Sequence, residues 1–558
     1  MHKNSDKDSL FEKNLLALSK RNPGLSFKLS KIVAKERRYK FFESRTGEII
    51  PNWIDPQGVA HSLHSMMDPK REAIRLIETV QSEGFIVILG LGAGFYAEEA
   101  LKREETCFVL TVEYDLASLM ELLRERDYTS LFNDPRFSLA VDLSGEELQR
   151  LILNLYQPVL LGRIKVIPLR ARTSFDGESF IAAAKAIEGA IDQASSDYSV
   201  QACFGKRWLS NIIKNLKNAG EVKGSIPPIR RAAVCAAGPS LSLQIPAIQN
   251  KRKDKFLIAV DTSLPCLLNA GIMPDAVISI DCQHISYYHF MDGLPESALL
   301  FLDLASPPLL ASRSKNRWFF ASAHPLTRYI SQVWKKFPEL DTSGGNVTYA
   351  AVSLAEQLGA SEIELYGADF AYPGAVSYAQ GAYIYSLFAK RQNRLSPLEA
   401  QCSDFLYRTP LEKISCPDNA GSWYYENRLL KFYREALEKK CLNMDAALMP
   451  AKGLGAPIRV RQAENRNNNH RIFFIGEAAT QAEDFLSLYK NAIASLPKPE
   501  KNAALYLGSL SDEQKSVFAT ILPLAAALKH RNSIADYREL FEETKAYTIK
   551  QIDKVLAE

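Results

Sequence analysis

Apolar residues along this chain gather in short uninterrupted runs that end on glycine or an acidic residue and give way to helical spacing, the pattern of alternating strand and helix. The run 85–89, the turn Gly90-Leu91-Gly92-Ala93-Gly94 and a helical stretch over 95–103 form the first such unit. A second run, 107–112, ends on Glu113, which puts an acidic side chain at the tip of the second strand, as in nucleotide-binding βαβ units. Gly90, Gly92 and Gly94 suit either the close approach of a cofactor or bare packing of helix on strand. Upstream, residues 1 to about 80 read as charged and mainly helical, with a helix expected over 69–81 behind the turn His64-Ser65-Met66-Met67-Asp68-Pro69.

One or two helices are expected over 175–220, and 223–228 reads as a linker because its paired prolines block both helix and central strand. A new alternation begins there. The run 231–236 leads into Gly238-Pro239-Ser240-Leu241, 256–260 ends at Asp261, and 276–280 ends at Asp281. Open parallel sheets bind ligands beyond the carboxyl ends of their strands, so these three ends are expected to converge. Residues 340–346 open a helix over 347–358, and a strand over 362–366 ends in Gly367-Ala368-Asp369-Phe370, with the same alternation expected to about 460. A polar break at 465–470, a short apolar run at 471–475 and helical periodicity complete the chain. The organisation expected is α/β in three parts: 1–224, a helical segment plus a Rossmann-like domain; 225–463, an α/β domain carrying the site; and 464–558, mainly helical.

Composition narrows the picture. A chain of 558 residues exceeds what one core organises, and 47% hydrophobic with 24% charged residues describes a folded globular protein. The net charge of +4, from 68 basic and 64 acidic side chains, is too balanced to call for a nucleic-acid or membrane-surface partner. The eight cysteines include no CxxC pair and several lie in apolar runs, which suits buried reduced thiols and the cytoplasm. The start lacks a secretory apolar core, and no run approaches the roughly 18 apolar residues of a spanning helix, so no stable membrane insertion is expected.

Candidate chemistry lies at the strand ends and helix starts. Ser343, Gly344, Gly345 and Asn346 precede a helix whose first turn offers free amides to an anion, unless Ser343 or Asn346 is simply its cap. Gly238, Pro239 and Ser240 offer a second amide-lined turn where glycine admits a nucleotide. Tyr372 and Tyr378, with Asp369 upstream, place phenols where they can donate to a departing phosphate. Asp261 and Asp281 would hold Mg²⁺ against a diphosphate, accept bonds from a ribose or base, or cap helices. His284 and His289 are candidate general bases or structural histidines, and their five-residue spacing is poor for a metal on a helix, so no zinc site is expected there, while a divalent metal at the aspartates stays open.

Taken in order, these residues resemble a family. Leu63-His64-Ser65 through Asp68-Pro69 and Arg71-Glu72-Ala73, then the glycine-turn domain and Gly238-Pro239-Ser240-Leu241, look like the motility-associated factors, the Maf flagellin glycosyltransferases, up to about residue 460. The central domain resembles the archaeal pterin diphosphokinase MptE and the bacterial sialyltransferases that use CMP-activated nine-carbon acids. Ala237 to Leu241 is similar to the nucleotide turn of the sialyltransferases; Thr342-Ser343-Gly344 with 350–355 and 359–370 is similar to their second nucleotide-binding stretch. Tyr372 and Tyr378 keep the six-residue spacing of their phosphate-facing tyrosine pair, with one residue inserted after Phe370. Those enzymes carry a catalytic histidine shortly before the helix matching 427–440, where this chain reads Ser422-Trp423-Tyr424-Tyr425-Glu426, leaving the base unassigned.

The resemblance implies transfer of a nonulosonic acid, pseudaminic or legionaminic in type, from its CMP form to Ser or Thr of flagellin, in support of flagellar assembly and motility. It implies catalytic roles for Tyr372, Tyr378 and Asp369, with the CMP donor held by Gly238, Pro239, Ser240, Asp261, Asp281, Ser343, Gly344, Gly345 and Asn346. A Mg²⁺-dependent pterin-type diphosphokinase and a non-catalytic flagellin-binding assembly factor are the alternatives.

Overall fold

The computed structural model describes residues 2–32, 38–81, 83–416, 422–460, 472–499, 502–534 and 536–558. Packing divides the chain into two compact units, Met1–Gly205 with Leu496–Lys515 and Leu522–Thr544, and Lys206–Ser495 with Ser516–Ile521 and Lys545–Glu558. The division therefore departs from the expected boundaries after 224 and 463. It falls inside a single helix, Gly177–Glu221, whose 45 residues contain no proline, and the C-terminal residues are shared between both units. The helices after 480 are Ala482–Ala494, Ala503–Ser509, Asp512–Asn532 and Tyr537–Ala557.

The first unit is built on a four-stranded parallel sheet, β1 (Glu83–Leu89), β2 (Phe108–Glu113), β3 (Phe137–Val141) and β4 (Arg163–Pro168), in the order β3-β2-β1-β4. Alternation along β1 sends Ile86 and Ile88 into one apolar core and Phe85, Val87 and Leu89 into another, which is why the run is apolar throughout. The expectation of helix up to residue 80 is corrected. After helices His2–Ser19 and Pro23–Ser30, strands Tyr39–Glu43, Ile49–Ile54 and Ala60–Ser62 form an antiparallel meander. Aromatic and β-branched residues favour the pleated surface there, and Gly47 and Gly58, at φ of 83° and 81°, turn the chain between strands.

The glycine turn after β1 is closed by the chain's own side chains. Glu113 accepts a hydrogen bond from the Leu91 amide (3.0 Å), His64 Nε2 accepts one from the Ala93 amide (3.0 Å), and Tyr128 donates to the Gly92 carbonyl (2.7 Å). The groups that would meet a cofactor are thus occupied, and the packing role of these glycines is the one realised. Glu113, at the position of a ribose-binding acid, instead forms a buried ion pair with Arg172 at 2.7 Å. Gly92 sits at φ 52°, and a Cβ there would lie 2.5 Å from His64 Nε2. Gly92→Ala is expected to cost about 1–3 kcal/mol of stability, read as a lowered urea midpoint.

The second unit carries seven parallel strands: β5 (Arg231–Cys235), β6 (Phe256–Val260), β7 (Ala276–Ser279), β8 (Leu299–Asp303), β9 (Arg317–Phe320), β10 (Glu362–Tyr366) and β11 (Ala447–Pro450). Their order is β9-β8-β7-β6-β5-β10-β11. Three helices matter for the site: α1 (Ser240–Asn250), α2 (Val347–Gln357) and α3 (Arg428–Cys441).

Two expectations are corrected in this unit. The βα alternation does not run on unbroken to 460: between β10 and α3 the chain inserts strands Tyr372–Pro373, Glu412–Ser415 and Trp423–Glu426, paired antiparallel, and helices Tyr383–Arg391 and Leu398–Tyr407. The segment read as a linker at 223–228 contains strand Gly224–Ile226, which pairs with Phe473–Ile475; the prolines simply follow the strand. The polar break at 465–470 lies outside the described residues. Among the described residues no helix is long and apolar enough to cross a membrane.

Candidate functional site

The strand order of the second unit reverses at β5, which has β6 on one side and β10 on the other. Chains leaving the carboxyl ends of β5 and β10 diverge there, and a crevice opens where such sheets take ligands. The two loops are stitched together. The Gly238 amide donates to the Gly367 carbonyl at 2.8 Å, and a Cβ on Gly238 would lie 2.3 Å from Asp369 Oδ2. Only glycine permits that approach.

Asp369 is the knot. Its carboxylate accepts from the Ser240 amide (2.9 Å), the Ser240 hydroxyl and the Gly455 amide (3.0 Å), while Ser240 Oγ accepts from the Leu454 amide (2.7 Å). Burial raises the Asp369 pKa, and these donors oppose the shift. Gly238, Pro239, Ser240 and Asp369 come together in space, but Asp369 already takes the Ser240 amide that a phosphate would use. Its position fits a residue that fixes the crevice wall, with Pro239 at the N-cap of α1.

Asp261 and Asp281, at the ends of β6 and β7, are drawn together from the opposite side of the switch. Asp261 is 3% exposed and accepts from the Thr262 amide (2.7 Å) and from Ser279 Oγ (2.7 Å). Asp281 accepts from the Gln283 amide (2.9 Å); burial raises its pKa and the nearby Asp261 charge adds to that. Asn211 anchors this loop by donating to the Cys282 carbonyl (3.0 Å). Among the described residues, no group of three or more His, Cys, Asp and Glu side chains is arranged to hold a metal ion.

The two histidines part company. His284 is exposed at the start of the 3₁₀ helix His284–Phe290, whereas His289, at its end, is 5% exposed. Nδ1 of His289 lies 3.4 Å from Asp261 Oδ2, and neither ring nitrogen has a hydrogen-bond partner. Its ring packs 4.3 Å from that of Tyr383, which lies 6.3 Å from Tyr378. A buried imidazole beside a carboxylate, with a nitrogen to spare, is a proton-transfer arrangement.

Tyr372 and Tyr378 are both half-buried, the former held by strand pairing opposite Tyr425. Burial pushes both phenols up, and the charge of Arg408 pulls in the other direction on Tyr372, Tyr378 and Tyr383 alike. Sequence reading missed Arg408: it lies one residue beyond a helix in the insertion, with no motif around it, and only the fold brings its charge to the tyrosines. The Arg408 guanidinium lies over the Phe405 ring at 4.2 Å, and its charge, within electrostatic reach of three phenols, makes this side of the crevice receptive to an anion.

The turn before α2 behaves differently from its expectation as an open amide cradle. Asn346 is the N-cap, accepting from the Tyr349 amide (3.0 Å). Ser343 donates through Oγ (2.6 Å) and through its amide (3.0 Å) to Asp341, which also accepts from the Tyr349 hydroxyl (2.7 Å). Burial opposes ionisation of Asp341, yet Ser343 and Tyr349 and the charge of Lys440 bring its carboxyl down to about 2. Asp341 was another residue missed from sequence. Ser343, Gly344, Asp341, Tyr349, Phe432 and Lys440 are among the walls of an open cavity of about 630 Å³. Gly345 lies against Tyr433 of α3, whose phenol is within electrostatic reach of Tyr372.

Three comparisons bear on this architecture. Residues 206–375 match a family model described as 6-hydroxymethylpterin diphosphokinase MptE-like. The structure of the MAf glycosyltransferase from Magnetospirillum magneticum AMB-1 superposes over 99% of this chain and 95% of its own, with a TM-score of 0.59 at 13% identity. An uncharacterized protein of Treponema pallidum (strain Nichols) is 32% identical over 164 residues, which are 29% of this chain and 78% of that protein. A second uncharacterized Treponema pallidum protein is 32% identical over 181 residues; the aligned region spans 31% of this chain and 62% of that one's length. The class is therefore an α/β protein with an MptE-like central region on the fold of a Maf glycosyltransferase. In particular, the chain belongs to the family of the first of these Treponema pallidum proteins.

Proposed function

We propose that this protein is a cytoplasmic glycosyltransferase that moves a nonulosonic acid, pseudaminic or legionaminic in type, from its CMP form to Ser or Thr of flagellin. The observation that carries the reading is the buried Asp261–His289 pair packed against Tyr383, with Tyr378 beside Tyr383 and the charge of Arg408 within reach of both tyrosines. The fold shared with a Maf glycosyltransferase supports it. In the reaction the acceptor oxygen bonds to the anomeric carbon as the bond from that carbon to the CMP phosphate oxygen breaks. The hydroxyl proton passes to a ring nitrogen of His289, and Asp261 stabilises the imidazolium so formed. Charge develops on the departing phosphate, where Arg408, Tyr372 and Tyr378 supply a cation and two donors.

The test is intact-mass spectrometry of flagellin co-expressed with this protein and a supply of the CMP donor. The expected result is added mass of one or more nine-carbon acids, formed about 10- to 100-fold more slowly by Tyr378→Phe, which loses one donor to a charged group. No added mass with soluble protein and confirmed donor sinks the proposal. The MptE-like match favours diphosphokinase chemistry as the second reading. Mg²⁺-dependent diphosphorylation of hydroxymethylpterin by the same preparation would replace the first reading with it.

A further inference from the structure

The motif around His64 to Glu72 has no part in the reaction proposed above, and it borders an open cavity of about 570 Å³ in the first unit. Ser65, Arg71, Glu72 and Arg75 line one side, Tyr96 and Arg170 another. Their placement follows from the fold. Arg71 and Arg75 stand four apart on helix Pro69–Ile77, hence on one face. Tyr96 is in the first turn of helix Phe95–Leu101, and Arg170 lies just past the end of β4. Strand β1 sits between β2 and β4, so the cavity lies at the carboxyl ends of the strands where the sheet's order reverses.

The acidic groups at this cavity are already engaged by neutral donors. Asp68 caps its helix by accepting from the Arg71 amide (3.0 Å). Glu72 accepts from the Ser65 amide (2.8 Å) and the Tyr96 hydroxyl (3.0 Å). Among the described residues, none of Arg71, Arg75 and Arg170 forms an ion pair, although other arginines of this unit, such as Arg126 and Arg136, do. Behind them His64 Nδ1 is buried without a hydrogen-bond partner, 3.9 Å from Glu72 Oε2. Three guanidinium groups against the two carboxylates of Asp68 and Glu72 leave the cavity with an excess of positive charge and with forked donors that no ion pair occupies, which favours an anion.

We propose that this cavity is a binding site for a small polyanion carrying phosphate or carboxylate groups, held by forked contacts from Arg71, Arg75 and Arg170. The site is independent of the glycosyl-transfer reading. The glycine turn beside it is closed by His64 and Glu113, so the ligand rests on side chains in place of turn amides.

The experiment is isothermal titration of the full chain at about 0.15 M salt, where weak surface attraction is screened. The probes are inorganic pyrophosphate and citrate. Saturable binding of one or both is expected, with the tighter probe telling phosphate from carboxylate recognition. Arg71→Gln and Arg170→Gln should each weaken it about tenfold or more, and Tyr378→Phe should leave it unchanged. The proposal is overturned if neither probe binds saturably, if both arginine variants bind as the parent does, or if only Tyr378→Phe weakens binding.

Discussion

His289→Gln should lower the turnover number for glycosyl transfer by about 10²- to 10⁴-fold, the range expected for loss of a positioned proton acceptor. Glutamine keeps most of the volume and polarity of the imidazole but cannot take the hydroxyl proton. Because His289 is buried against Tyr383 and neither of its nitrogens is hydrogen-bonded, the exchange removes no internal hydrogen bond. The thermal midpoint should therefore stay close to the parent's, and KM for the donor should change little. Asp261→Asn should reduce turnover in the same direction, since it strips the imidazolium of its counter-charge. The pair is read best from kcat and KM measured separately. A His289→Gln enzyme with near-parental turnover, or one whose loss lies entirely in KM, would remove the histidine from the chemistry.

Arg172→Ala should destabilise the first unit by about 3–5 kcal/mol, the usual cost of breaking a buried ion pair from one side. Arg172 is 1% exposed and meets Glu113 at 2.7 Å, Asp176 at 2.6 Å and the Tyr39 hydroxyl at 2.7 Å, with its guanidinium over the Trp53 ring. Alanine leaves Glu113 charged in the interior with only the Leu91 and Tyr114 amides for company. Urea unfolding followed by circular dichroism measures the effect, and a loss under about 1 kcal/mol would mean that water reaches Glu113 in the variant. Arg172→Ala combined with Glu113→Leu should recover part of the loss, because the stranded charge is gone.

What the sequence made legible follows from range. Strands β1 and β6 announce themselves as uninterrupted apolar runs closed by Gly90 and Asp261, because a strand covered on both faces has no polar side to show. The turn at Gly238 and the N-cap at Asn346 are equally local and stand where the spacing puts them. The meander of Tyr39–Glu43, Ile49–Ile54 and Ala60–Ser62 was lost among charged neighbours, and its strands depend on pairing that a window of a few residues does not contain. The insertion between β10 and α3 was hidden for the same reason. Of the candidate site, Ser240 and Asp369 are 129 positions apart and find each other only through the sheet. Arg408 and Asp341 have no signature at all, since their significance lies in what faces them. The occupation of the Gly90–Gly94 turn was likewise invisible: His64, which fills it, lies 29 positions from its partner Ala93.

That occupied turn also changes how the first unit responds to its surroundings. A dinucleotide-binding domain gains stability by mass action as its ligand rises above the dissociation constant, and slackens when the ligand is depleted. Here the imidazole of His64 and the carboxylate of Glu113 are tethered to the chain, so the equivalent of the ligand is present at a fixed stoichiometry of one and at no chemical potential the cell can vary. The turn keeps its shape through starvation and abundance alike.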